Sequence, residues 1–141
     1  MFFDKKETKN ENSYLVKIGA LLIYAAKIDE KYSINEDKII RKTLLELGAN
    51  EEDLDLIMNN AKTNEEQSSQ ILEFTKEIKN MSEKEKIKIV ESLWRIIYSD
   101  NDADIYETNL MRRLAGLLYI DSKTMGDIKE KIKKENSQWL I

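Results

Sequence analysis

One helical-hairpin pattern occurs twice in this chain, 71 positions apart, and each copy carries an acidic turn. Asp29 and Glu36 recur as Asp100 and Glu107, and Arg41 recurs as Arg112. The apolar positions keep step. Ile18, Gly19, Leu22, Ile23 and Ala26 answer to Ile89, Val90, Leu93, Trp94 and Ile97, and Ile39, Ile40, Leu47, Leu54 and Ile57 to Leu110, Met111, Leu118, Met125 and Ile128. A pattern that preserves both core positions and turn carboxylates points to a duplicated architecture. The turns, which packing constrains least, are where such copies carry function.

The copies are helical. The sequence has no proline and only four glycines, and its apolar residues recur at spacings of three and four, as in Tyr14, Ile18, Leu21, Leu22 and Ala25 or Val90, Leu93, Trp94 and Ile97. Helix starts are marked by a small polar residue followed three positions later by an acid, the pattern that satisfies unpaired N–H groups from both sides. It occurs at Ser33 to Glu36, Asn50 to Asp53, Thr63 to Glu66, Ser82 to Glu85 and Asp104 to Glu107. With a first helix opening near Asn12 or Ser13 and a last near Asp121 or Ser122, seven helices are expected, starting near residues 13, 34, 51, 64, 83, 105 and 122. The expected fold is all-α: a compact seven-helix bundle of two pseudo-symmetric three-helix repeats, joined by a bridging helix that carries Ile71, Leu72, Phe74 and Ile78. At 141 residues, 41% of them hydrophobic, the chain reads as a single domain spanning 1–141, with a core of about 13–134 and a short tail at each end.

Composition removes several functions. With no cysteine and no histidine, disulfides, thiolate sites, the usual zinc sites and Cys or His nucleophile systems are excluded. No Gly-rich phosphate loop or dinucleotide fingerprint occurs, and any catalysis reduces to carboxylate or Lys chemistry, so the chain is expected not to be an enzyme. A net charge of −4 with no basic face argues against a nucleic-acid partner. The longest uncharged run, Ile18 to Ala26 between Lys17 and Lys27, is far short of the roughly 20 apolar residues of a membrane span and reads as a core helix. Met1-Phe2-Phe3 is followed by Asp4-Lys5-Lys6-Glu7, which does not read as a secretory signal, so a cytoplasmic location is expected.

The acidic turns have two readings. Glu36 and Glu107 fall at the third position of their helices, where a carboxylate returns to the cap N–H and meets the positive end of the helix dipole, each effect worth about 0.3–1 kcal/mol. Asp29 and Asp100 then end the preceding helices or organise turns. Capping accounts less well for Asp100-Asn101-Asp102-Ala103-Asp104-Ile105-Tyr106-Glu107, where four carboxylates fall within eight residues and none has an adjacent Lys or Arg. Their repulsion is relieved by a hard divalent cation with oxygen ligands, namely calcium, magnesium or manganese. The Asp-x-Asp-x-Asp opening is like an EF-hand loop, but Ile105 and Met111 stand where that loop needs Gly and Glu. The first turn has Lys31 and Ser33 in place of the second and third acids, leaving Asp29, Glu30, Glu36 and Asp37.

An apolar helix running into an Asp three residues on, as Ala26-x-x-Asp29 and Ile97-x-x-Asp100, then a cap about four residues further, Glu three later and an apolar helix with Arg, given twice around a bridging helix, resembles the TerB-like family, named for the tellurite resistance protein. The resemblance covers about Ser13 to Lys134. It implies a compact seven-helix protein of the bacterial cytoplasm, linked to tellurite and other stress resistance, with a divalent-metal site formed by acids of the two turns. Carried over position by position, that site takes Asp29 and Glu36 from the first copy and Asp100, Asp104 and Glu107 from the second, with Asp102 beside them. The chain departs from the family pattern where the usual Asp-Gly of each turn is Asp29-Glu30 and Asp100-Asn101, and where Ser33 stands for an acid.

The alternative is a metal-free helical module for protein–protein interaction, its acidic turns serving only as helix caps. The chain's ends give it some support, since Met1-Phe2-Phe3 and Trp139-Leu140-Ile141 are apolar segments that a partner's groove can capture. Trp94, at helical spacing from Val90 and Ile97, is expected in the core.

Overall fold

The computed structural model describes residues 2–28, 33–68, 70–99 and 105–139, with side chains described over 13–28, 33–68, 70–99 and 107–135. Within them run seven α-helices: α1 (Phe2–Ala26), α2 (Ile34–Glu46), α3 (Leu54–Gln67), α4 (Leu72–Ile78), α5 (Glu83–Tyr98), α6 (Ile105–Leu117) and α7 (Ser122–Trp139). A single 3-10 turn at Glu51–Asp53 leads into α3. No strand occurs among the described residues.

Two helices form the centre. In α1 the six consecutive residues from Ile18 to Ile23 are all buried, which is the mark of a helix surrounded by others. Its neighbours are α2, α3, α4 and α5. In α5, Ile89, Val90, Leu93, Trp94, Ile96 and Ile97 are buried, facing α1, α2 and α7. Every apolar residue of the α1 and α5 stripes matched between the copies is therefore in the core, Trp94 included. In α4, Phe74 and Ile78 are fully buried, and the helix packs on both α1 and α6.

α1 and α3 approach closely. A Cβ added at Gly19 would lie 2.9 Å from Ala61 Cβ, so the absence of a side chain at Gly19 is what lets the two helices touch. The edges are tied by Lys27 Nζ to Glu65 (2.9 Å) between α1 and α3, and by Arg95 to Glu135 (3.2 Å) between α5 and α7. These are partly exposed pairs of modest worth.

Both α2 and α6 end in the same backbone device. After α2, Gly48 N–H donates to Leu45 O and Ala49 N–H to Leu44 O; after α6, Tyr119 N–H donates to Gly116 O and Ile120 N–H to Ala115 O. Each end needs a left-handed residue. The first copy uses Gly48 (φ 113°) and the second Tyr119 (φ 58°), where a side chain costs about 1–2 kcal/mol. Lys86 Nζ, buried, donates to Leu118 O at 3.0 Å and lies 5.9 Å from the Tyr119 ring centroid, with Lys79 at 6.0 Å.

Three expected boundaries differ. Thr63 does not open a helix, because its hydroxyl donates back to Asn59 O (3.1 Å) inside α3, and the bridging helix starts at Leu72 instead of near 64. Asn50 precedes the 3-10 turn without a side-chain cap bond. α1 begins at Phe2 instead of near 13, since residues 2–12 contain no Pro or Gly to stop it. The expected caps at Ser33, Ser82 and Asp121 are present. The side chains of Phe2, Phe3 and Trp139, and residues Met1, Leu140 and Ile141 altogether, lie outside those described.

Candidate functional site

The two turn glutamates are buried. Glu36, 1% exposed, stands one turn into α2. Its carboxylate Oε1 accepts from Ser33 N–H at 3.0 Å while its own N–H donates to Ser33 Oγ at 3.2 Å. This reciprocal cap compensates part of the cost of burying a carboxylate. Glu107, 5% exposed, holds the matching place in α6. At the end of α5, burial first, then the charges of Glu130 and Glu107, raise the Tyr98 phenol above its ordinary value.

A cavity of about 350 Å³ is lined by Tyr24 near the end of α1, by Ile28 just after it, and by Asn109, Leu110 and Arg113 from the first turns of α6. Ile28 immediately precedes Asp29, and Asn109 lies two residues beyond Glu107. The entry to the first acidic turn therefore stands against the helix that follows the second. This contact between copies depends on tertiary packing, which spacing alone does not reveal. Arg113 supplies a cation on the cavity wall.

Of the six acids singled out in the sequence, Glu36 and Glu107 are thus placed and buried. Asp29, Asp100, Asp102 and Asp104 lie outside the described residues. Among the described residues, no group of three or more His, Cys, Asp or Glu side chains is arranged to hold a metal ion. Among them too, no helix is long and apolar enough to cross a membrane.

Asp37, the last acid of the first turn, is engaged by Arg41. Arg41 Nε donates to Asp37 Oδ2 at 2.8 Å and Arg41 Nη1 to Asp55 Oδ1 at 2.7 Å. These two hydrogen bonds, with Asp55 the larger cause, raise the guanidinium's pKa above its ordinary value.

A family described as "Tellurite resistance protein TerB" matches residues 15–130 of the chain. No curated protein and no solved structure matches it.

Proposed function

We propose, on the premise that the chain belongs to the tellurite resistance protein TerB family, that it is a non-catalytic helical module of the cytoplasm whose two acidic turns bind a hard divalent cation. The observation that carries the reading is the pairing of two buried carboxylates, Glu36 and Glu107, at matching helix starts. The cavity joining Ile28 to α6 supports a site drawing on both turns, to which Asp29, Asp100, Asp102 and Asp104 add oxygen ligands of the kind calcium, magnesium or manganese takes. The role in tellurite or other stress resistance rests on the family's name.

A second reading is favoured by the completed Ser33–Glu36 cap: the acids only cap helices, and the protein acts as a metal-free interaction scaffold. Calorimetric titration with calcium, magnesium and manganese separates the two. Binding to N alone raises stability by RT ln(1 + [L]/Kd), about 2.7 kcal/mol at a hundredfold excess over Kd. Monovalent salt at matched ionic strength should give nothing comparable. The double change Asp100→Asn plus Asp104→Asn should abolish the increment and leave metal-free stability level or raised, because Asn still caps a helix and the repulsion is relieved. Absence of binding at millimolar cation would leave only the scaffold.

A further inference from the structure

A second opening, about 240 Å³, lies between α5, α6 and α7. It has apolar walls from Trp94, Met111 and Met125 and a polar side that includes Arg112 and Lys129. Its origin is visible in the offset of 71 between the copies. In the first copy, Arg41 is held by two carboxylates, Asp37 and Asp55. The matching residues around Arg112 are Thr108 and Gly126, and both line this opening beside it. The second copy thus has the arginine without either acid. Among the described residues no carboxylate pairs with Arg112.

The space has been emptied at the same positions. Ala115 stands where the first copy has Leu44, and Gly126 where it has Asp55. Where the first copy has apolar Met58, Lys129 brings a second cation, its Nζ 5.5 Å from the Trp94 ring centroid. Among the described residues the buried Trp94 Nε1–H meets no acceptor, an uncommon deficit for a buried donor.

We infer that this groove binds a small carboxylic acid with an apolar body, its carboxylate held by Arg112 and Lys129 in place of the two acids that Arg41 has and Arg112 lacks. A planar guanidinium matches a carboxylate bidentately, and a groove with apolar walls and a few convergent polar groups suits a small ligand. The site asks for an anion, the opposite of what the acidic turns ask for, so either reading can fail without the other.

Benzoate and its neutral isostere benzamide test it, added to the ¹⁵N-labelled full chain at matched ionic strength. Benzoate should shift the Arg112 and Gly126 amides and the Trp94 indole N–H saturably, with benzamide about tenfold weaker or more, because a charge-assisted hydrogen bond is at stake. Arg112→Gln should weaken benzoate by about the same factor. Gly126→Asp should abolish binding, since its carboxylate would take Arg112 as Asp55 takes Arg41. A Cβ at Gly126 meets nothing within 4 Å, so this variant should fold as the wild type does, and its dispersed amide spectrum checks that. Equal affinity for benzoate and benzamide, unchanged binding in Gly126→Asp, shifts confined to other surfaces, or no saturable shift would each overturn the assignment.

Discussion

Gly19→Ala should destabilise the protein although alanine is the better helix former. In an exposed helix interior the exchange gains roughly 1 kcal/mol in backbone propensity. Here the new methyl carbon would meet Ala61 Cβ at 2.9 Å, well inside the 3.5–4.0 Å or so at which carbon atoms attract. Both atoms are stiffly attached to backbone, so relief requires α1 and α3 to separate along a face where Leu22, Ile57 and Met58 are buried. Overpacking of this kind costs about 1–3 kcal/mol, and after the propensity gain a net loss of about 1 kcal/mol remains, or 2–4 °C in Tm for a chain of this size. The sharper reading is the coupling. Ala61→Gly vacates the space the new methyl needs, so Gly19→Ala with Ala61→Gly should be more stable than the sum of the single changes by about 1–2 kcal/mol. Urea unfolding of the four proteins of the cycle measures this. A stabilised Gly19→Ala single variant, or strict additivity, would show that the α1–α3 contact is not as close as described.

Tyr119→Gly should stabilise by up to about 1 kcal/mol in thermal melts, because it relieves a left-handed side chain while losing only two long cation–π contacts, from Lys79 and the buried Lys86, to a ring that is itself exposed; a loss of stability would mean that those lysines hold the ring more firmly than their distances imply. Ser82→Ala should cost about 1 kcal/mol without any dependence on divalent ions, through loss of the bond from Glu85 N–H to Ser82 Oγ, and a neutral result would contradict the start of α5. Glu85's carboxyl is held below its ordinary value chiefly by the Ser82 and Tyr14 hydroxyls, so its folded pKa is depressed. Its contribution is therefore full above the ordinary Glu range near 4.3 and is lost as pH falls through the folded value; acid unfolding of Glu85→Gln should lack that part of the pH dependence, and an unchanged acid limb would count against it.

Local chemistry was legible in the sequence where it closes within one turn. Ser33 with Glu36 and Ser82 with Glu85 cap their helices as their spacing predicts, and the matched apolar residues of α1 and α5 are buried together. Thr63 with Glu66 has the same spacing, but a hydroxyl inside a continuing helix can satisfy itself on the carbonyl four residues back, and only the surrounding packing decides between the two. The candidate site divides similarly. Turn acids are visible in the sequence as a cluster, whereas the burial of Glu36 and Glu107 at their helix starts is seen only in the structure. The cavity that sets Ile28 against Asn109, and the groove beside Arg112, depend on which helices meet. The signal for the groove lay in the sequence as a difference between copies, Asp37 and Asp55 against Thr108 and Gly126. It acquires meaning only once Arg41 is seen to bind both acids.

Manganese is the most direct probe of the proposed cation site, because its unpaired electrons broaden nearby amide signals. Titrating substoichiometric Mn²⁺ into ¹⁵N-labelled protein should broaden the amides of Glu36 and Glu107 together, at the same low metal concentration, and excess Mg²⁺ should restore them. Broadening around Glu107 alone would confine the site to the second turn and contradict a site shared by both. Uniform weak broadening over all surface carboxylates, or none at either glutamate, would contradict cation binding at the acidic turns altogether.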